Sequence, residues 1–556
     1  MKKQQNNLEK EIENKYRLCI EGFHLKKYLH FDKEFCSDNP EKILKLTGYI
    51  KDHKMIASHS FMPLIGSTSI ERRISRKKTY WYYKKMLENN LDNNEIASVC
   101  RKQIESFEEN GVKKERALAY ASHLDSHIYS YYAAMLKPLY EMAIANTPLE
   151  NEVIAYRKIK NLTRNGVKSK FTSTVAAYDA IDAIKKFDNN CYALCFDLEH
   201  FFDTIEHQHL KDAWCSILGK DKLPEDHYNI FKSVTRFCYV KTEEIEHIFN
   251  LEREKADRTG NEIKSIHGFF KNAKDFRRFR KTYAKAYPDH PTFHQNPGLN
   301  KEGLPLHGIP QGLSISTVLS NIYMLPFDRT VSEFVHQHGG FYRRYCDDIM
   351  IIIPHNEELK DETVTLLKKA VAERGDSLKL HPIHEWDKHT KSQCFDFLDN
   401  EKLMRKPLQY LGITYDGKNV RIRQSSISKY QRNQAKAVSA NLMKVKHILM
   451  HNYNEKKSIS CLKRSDVCIR RTSLYESFTF RGNQNFYGYA STVAKMFDSE
   501  AVRSQLRSHC TRFSKLIDEA NKNLRSIIAR FLVKKHRDKL MPKEFLLSLE
   551  TEEEQS

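Results

Sequence analysis

Two adjacent carboxylates, Asp347 and Asp348, stand between aromatic, β-branched and apolar runs in Phe341–Ile353, which reads Phe-Tyr-Arg-Arg-Tyr-Cys-Asp-Asp-Ile-Met-Ile-Ile-Ile. Such runs on either side of a short polar break predict a β-hairpin with the acidic pair at its tip. Neighbouring carboxylates repel each other, and burying them unpaired costs several kcal/mol. A hard divalent cation with oxygen ligands is the commonest partner for such a pair. The rival reading of a lone Asp-Asp is a solvated turn, and residues upstream decide against it. Cys191-Tyr-Ala-Leu-Cys-Phe-Asp197 reads as a buried strand ending on a third carboxylate, and the aromatic pair Phe201-Phe202 follows it. Three carboxylates on two adjacent strands can hold two Mg²⁺ ions roughly 3.5–4 Å apart, an arrangement suited to in-line phosphoryl transfer.

The elements that must position these groups are legible around them. Upstream, Ile154–Lys160 alternates, Asn165-Gly166 is a strong turn signal, and Val167–Phe171 alternates again, which predicts a basic β-hairpin. A helix is expected near Thr172–Lys186. Leu306–Ser316 contains Gly308-Ile-Pro-Gln311-Gly312, a turn running into a helix whose apolar face is Leu319, Ile322, Leu325 and Phe327. Glycine there lets the backbone approach a base pair or sugar closely. Beyond the acidic hairpin, Glu357–Arg374 reads as an amphipathic helix, and Gln409–Arg423 as a further hairpin turning at Asp416-Gly417. Strand, helix, strand, strand, with carboxylates on adjacent central strands, is a ferredoxin-like palm.

The flanks differ in texture. Residues 1–145 read as mostly helical, with aromatic clusters at Tyr80–Tyr83 and Tyr129–Tyr132 whose plainest role is helix–helix packing. Residues 240–305 are rich in Lys and Arg, including Phe276-Arg277-Arg278-Phe279-Arg280-Lys281, and read as an inserted basic subdomain. From Ser426 the chain is helical and basic, with Val502, Leu506, Phe513, Leu516, Leu524 and Ile527 in helical period.

Composition bounds the partners. The 556 residues carry a net charge of +21 with pI near 9.2, which points to a polyanion, nucleic acid by default. A 40% hydrophobic and 29% charged composition is that of a globular protein, long enough for several domains. The 12 cysteines form no CxxC pair, so a reduced, cytoplasmic protein with free thiols is expected. The first residues lack the apolar core of a signal peptide, and no apolar run approaches the ~18 residues of a membrane span.

Taken together and in order, these motifs resemble a reverse transcriptase over residues 150–425. Phe196-Asp197 with Phe201-Phe202-Asp203 resembles the first catalytic motif, Gly308–Ser316 the Pro-Gln-Gly motif, and Tyr345-Cys346-Asp347-Asp348 the Tyr-x-Asp-Asp box. The resemblance implies an α+β fold: a polymerase right hand with ferredoxin-like palm and fingers, flanked by helical N-terminal and C-terminal regions. Its division would be a helical region 1–150, fingers and palm 151–425 with the insert 240–305, and a basic, thumb-like helical domain 426–556. It implies that Asp197, Asp347 and Asp348 are catalytic and bind two Mg²⁺ ions, with a backbone carbonyl from Leu198, and that dNTPs are the substrates. Phe202 would be the steric gate against a ribose 2′-hydroxyl, and Gln311 would lie beside the incoming nucleotide. Arg157, Lys158, Lys168 and Lys170 are candidates for gripping the triphosphate, and Leu408–Gly412 resembles the primer-grip hairpin.

Two departures stand out. The interval from Asp197 to Pro310 is longer than a compact palm needs, which supports an insert. Where the family offers a lysine as general acid, the chain reads Leu378-Lys-Leu-His381-Pro-Ile-His384-Glu-Trp-Asp-Lys388, making His384 and Lys388 the candidate proton donors. The texture of Ala155–Ile159 and the long helical flanks are similar to bacterial abortive-infection and defence-associated reverse transcriptases. That group implies antiphage defence, protein-primed or template-independent DNA synthesis, an RNA template or non-coding RNA as partner, a homo-oligomer and no membrane. The competing readings are an RNA polymerase of the same fold, which the bulk of Phe202 opposes, and an RNA-binding scaffold with a non-catalytic palm, which three intact carboxylates oppose.

Overall fold

A run of seven buried residues needs cover on both faces, and Cys191–Asp197 obtains it as an inner strand of a four-stranded sheet. The computed structural model describes residues 40–72, 113–242, 294–296, 298, 306–381, 392–454, 468–482 and 485–540, with isolated positions 30, 32, 101 and 104.

The N-terminal region is not only helical. After α1 (Pro40–Lys51) and α2 (His53–Ala57), β1 (Leu64–Arg72) pairs antiparallel with β2 (Lys113–Tyr120), from Ile65↔Tyr120 to Arg72↔Lys113. The expectation of a strand-free region is corrected here. β1 reads Leu-Ile-Gly-Ser-Thr-Ser-Ile-Glu-Arg, so small polar residues blur its alternation, and pairing with distant partners makes it a strand. α3 (His123–Ile144) buries Tyr129, Tyr132, Leu136 and Tyr140, so the Tyr129–Tyr132 cluster is packing. Tyr80–Tyr83 lie outside the described residues.

α4 (Leu149–Glu152) precedes a second correction. The basic hairpin shrinks to β3 (Thr163–Arg164) and β4 (Val167–Lys168), joined at Asn165-Gly166 with φ of 47° and 69°. The alternating stretch before it does not pair there. Instead, Val153 bridges Arg344 in parallel, and the Ile154 N–H donates to the Arg344 carbonyl at 3.3 Å. α5 spans Thr172–Lys186, as its pattern predicts, and leads into β5 (Cys191–Asp197).

α6 (Phe201–Thr204), α7 (His207–Leu218) and α8 (Glu225–Thr235) lead to β6 (Cys238–Lys241) and β7 (His294–Gln295), which complete a sheet of order β2-β1-β6-β7. The basic segment therefore leaves after β6 and returns at β7. Its arginines, Arg277, Arg278 and Arg280, lie outside the described residues.

α9 (Ser316–Gln337) feeds the acidic hairpin, β8 (Phe341–Tyr345) and β9 (Asp348–Pro354), and α10 (Glu357–Ala372) leads to β10 (Gln393–Asp396). The palm sheet has the order β10-β5-β9-β8, all antiparallel. One face packs on α3, α7, α9 and α10 through residues such as Leu194, Ile351, Trp214 and Leu319. The other face packs on α5 and on a small sheet: after α11 (Asn400–Arg405) come β11 (Leu408–Tyr410), β12 (Ile413–Tyr415) and β13 (Val420–Ile422). The C-terminal region is helical as expected: α12 (Gln424–Asn454), α13 (Arg471–Phe478), α14 (Phe486–Met496), α15 (Glu500–Arg507) and α16 (His509–Leu540). α12, α13 and α16 share a third core around Val445, Phe513 and Ile517. Among the described residues, no helix is long and apolar enough to cross a membrane.

Candidate active site

β5 and β9 are in register from Cys191↔Pro354 to Asp197↔Asp348, so two of the three predicted carboxylates close the ladder as a facing pair. The Leu198 N–H donates to the Asp347 carbonyl at 3.2 Å. That bond makes Asp197 and Asp348 a non-hydrogen-bonded pair, the closer kind, with Cα atoms about 4.5 Å apart and side chains on one face. Asp347 sits beside them in the two-residue turn Cys346-Asp347. Asp197 is buried, while Asp347 and Asp348 are half-buried and open to solvent.

The turn is strained. Cys346 has φ 62° and Asp347 does not have positive φ, the pattern of a type II′ turn, whose first position favours glycine. Burial pushes the Cys346 thiol up to about 12, so it is a packing group and no nucleophile.

On its other side, Asp197 is held by an edge segment. Its carbonyl accepts from the His381 N–H at 2.9 Å, its own N–H donates to Ser392 Oγ at 3.3 Å, and the Glu199 N–H reaches the Lys379 carbonyl. Neither set of bonds uses the Leu198 carbonyl, which was expected to face a metal. His381 also contacts the site directly: Nε2 lies 3.3 Å from Asp197 Oδ2 and Nδ1 lies 3.0 Å from Glu199 Oε1. His381 escapes sequence reasoning because the position expected for a lysine equivalent falls further along the chain. The signal was Leu378-Lys-Leu-His, a short alternating stretch before Pro382. His384 and Lys388 lie outside the described residues, between His381 and Ser392.

The Gly-Pro turn is clamped beside the first catalytic strand. The Ile309 N–H donates to the Phe202 carbonyl and the Gly308 N–H to the Ile205 carbonyl, both at 2.9 Å. Asn296 Nδ2 bonds the His307 and Gly308 carbonyls. Phe202 is half-buried against Phe201, with ring centroids 5.5 Å apart. The Gln311 carbonyl accepts from the Ala119 N–H at 2.7 Å, so β2 of the N-terminal sheet docks on this turn. Gly312 has φ 111°, and a Cβ there would meet the Ala119 carbonyl oxygen at 2.4 Å, so this position admits only glycine.

A family profile described as reverse transcriptase (RNA-dependent DNA polymerase) matches residues 267–415, a span that includes the Gly-Pro turn, the acidic hairpin and β11–β12. Residues 267–415 are thus similar to the reverse transcriptase family. The described residues combine helices and sheets in an α+β fold. Asp197 lies before the matched span, and it joins the site through its register with Asp348. No curated protein matches in sequence. Among solved structures, the chain is similar to apo telomerase from Candida tropicalis truncated from the C-terminal domain, at 9% identity and TM-score 0.32, covering 56% of this chain and 52% of that one. It is also similar to telomerase from Candida albicans in complex with a TWJ fragment of telomeric RNA, at 10% identity and TM-score 0.31, covering 89% and 67%. The chain thus spans about half the length of the first of these.

One predicted contact is corrected. Arg157 is committed elsewhere: its Nε and Nη2 bind the Glu141 carboxylate at 2.9 and 2.6 Å, and Nη1 donates to the Val153 and Glu150 carbonyls. With its side chain buried and its donors used, it is a structural arginine that fixes the segment following α4. Lys158, Lys168 and Lys170 are exposed. Leu411 and Gly412, with φ of 45° and 86°, form the tight turn between β11 and β12, so the expected Leu408–Gly412 hairpin is present.

Proposed function

We propose that this chain is an RNA-directed DNA polymerase that uses two Mg²⁺ ions and dNTPs, with template-independent addition as a variant of the same chemistry. The observation that carries this is the facing pair Asp197 and Asp348, with Asp347 beside it, at the open tip of the palm. Their hard oxygen donors fit a divalent cation. Among the described residues, no group of three or more His, Cys, Asp or Glu side chains is gathered so as to hold a metal ion by itself. Mg²⁺ requires no such group, because it is held by one or two carboxylates while water and substrate phosphates complete its shell. When bound, such ions favour ionisation of an attacking hydroxyl and neutralise charge on the leaving pyrophosphate.

The chain's own groups divide the remaining work. Asp197, Asp347 and Asp348 hold the cations, and the Leu198 carbonyl is available to assist. Phe202 excludes a ribose 2′-hydroxyl, and Gln311, pinned by β2, lies beside the nascent base pair. Lys158, Lys168 and Lys170 supply positive charge for the triphosphate. His384 and Lys388 are the proposed proton donors to the pyrophosphate, in the stretch between His381 and Ser392, both of which bond the Asp197 backbone. The direct test is to incubate the pure protein with each dNTP and Mg²⁺, then identify by gel and mass what becomes attached to what. Incorporation supports the reading, and its absence with every template and primer returns the case to a non-catalytic RNA-binding scaffold.

The biological role we propose follows from the resemblance to abortive-infection enzymes: antiphage defence by a cytoplasmic homo-oligomer, with DNA primed from a protein tyrosine or a bound RNA. A tyrosine hydroxyl has a pKa near 10, so a priming tyrosine needs help to ionise. A plaque assay on cells carrying wild type or Asp348→Ala tests this. Protection that depends on Asp348 supports it, whereas equal protection by both shows that synthesis is dispensable.

A further inference from the structure

The strained turn that presents Asp347 is held from beneath by one buried side chain. Arg344, on β8, is fully buried, and so is its partner Asp328 on α9. The pair is bidentate, with Nε to Asp328 Oδ1 and Nη2 to Asp328 Oδ2, both at 2.6 Å. Tyr342 donates its hydroxyl to the same carboxylate at 2.7 Å. The remaining nitrogen, Nη1, donates to the Cys346 carbonyl at 3.0 Å. That carbonyl belongs to the peptide linking Cys346 to Asp347, so the guanidinium grips the acidic turn itself.

A left-handed non-glycine residue is costly and persists only where its surroundings over-determine it. Three contacts do so at Cys346 and Asp347. Arg344 holds the Cys346 carbonyl from the core, Tyr156 donates its hydroxyl to Cys346 Sγ at 3.3 Å, and the Leu198 N–H holds the Asp347 carbonyl. Asn321 ties the unit together: its Oδ1 faces Arg344 Nη2 at 3.4 Å, and its Nδ2 donates to the Ala155 carbonyl next to Tyr156.

We propose that Arg344, aimed by Asp328, is a positioning residue for catalysis: it holds the Cys346–Asp347 peptide so that the Asp347 carboxylate stands beside Asp197 and Asp348. Asp328 fixes the planar guanidinium with two parallel bonds and leaves Nη1 directed at the turn. Lysine offers a compact point charge without that fork, so it can satisfy Asp328 or the carbonyl, but not both in this geometry. The inference rests on the reading of Asp347 as a catalytic ligand.

The test uses the full chain with Arg344→Lys and two readouts. The first is steady-state dNTP incorporation. The second is alkylation of Cys346, followed by peptide mass mapping, which needs no activity. We expect kcat to fall by about 10²-fold, the scale of a small misplacement of a reacting group, with KM for dNTP within about twofold of wild type. We expect Cys346, 5% exposed in the native turn, to be alkylated about 10-fold faster. Because Arg344→Lys can fail to fold, a companion variant replaces the whole unit, Tyr342→Phe with Asp328→Leu and Arg344→Met. It leaves no buried charge unpaired, a replacement that is commonly tolerated. Folded companion protein with depressed kcat and faster Cys346 alkylation supports the proposal. Wild-type kcat and wild-type alkylation in either folded variant overturn it. A loss confined to KM overturns it as well, since a turn that presents a metal ligand acts on the chemical step. If wild type itself incorporates nothing, the polymerase reading fails, while the alkylation readout still reports whether Arg344 holds the turn.

Discussion

Phe202 illustrates what a single residue can do at this site and how far the sequence reveals it. Its place five positions after Asp197 is legible, and its carbonyl anchors Ile309 of the Gly-Pro turn, which no sequence pattern announces. If its ring is the bulk beside the sugar, Phe202→Ala raises ribonucleotide use relative to deoxyribonucleotide. Competition assays with matched nucleotide pairs measure this ratio, and an unchanged ratio assigns the gate to another side chain. Arg157 teaches the opposite lesson. A basic residue in a basic stretch reads as a phosphate ligand, yet Glu141 and nearby carbonyls use its donors. Charge in a sequence does not say which partner a folded chain will supply. His381 was equally hard to read, because its contact with Asp197 comes from strand pairing across the palm edge.

At the scale of elements, local signals were reliable where the chain decides its own conformation. Asn165-Gly166, the acidic hairpin, α5 and the helical C-terminal region follow from turn chemistry and periodicity. β1 and β2 do not, because β1 is ordered by antiparallel β2 and by parallel β6 far along the chain. The N-terminal helices α2 and α3 are pinned to α8 by Asp226, which accepts from Tyr132 and His53. Burial alone would raise the Asp226 carboxyl, but the hydrogen bonds from Tyr132 and His53 outweigh it and hold the group below its ordinary value. A depressed carboxyl contributes stability above its unfolded pKa, near 3.9, and loses it as pH falls through the folded value. Tyr132→Phe therefore costs about 1.5–3 kcal/mol at pH 7, the scale of a hydrogen bond to a charged group. The difference from wild type fades below about pH 4. Denaturant midpoints across pH measure both, and a difference independent of pH assigns the loss to packing alone.

For the whole molecule, the +21 charge is the largest feature read from composition. Lys and Arg populate the polar positions of α12 and α16, among them Lys436, Lys444, Lys515 and Arg525. If nucleic acid lies along this molecule, its affinity falls with salt as phosphates release counterions, with log K declining in proportion to the contacts made. Reversing Arg277, Arg278 and Arg280 to glutamate should flatten that slope, as a salt titration of RNA binding would show. The same slope before and after assigns the insert to a protein interface instead.

The central claim is that Asp197 and Asp348, brought face to face by the β5–β9 register, are the groups on which nucleotide transfer depends. The most direct measurement is the initial rate of dNTP incorporation by purified Asp197→Asn and Asp348→Asn beside wild type, with circular dichroism to verify the fold. Asparagine preserves shape and removes the charge that holds a cation, so each rate should fall by more than about 10³-fold with the fold retained. Incorporation at the wild-type rate by either folded variant would contradict the account.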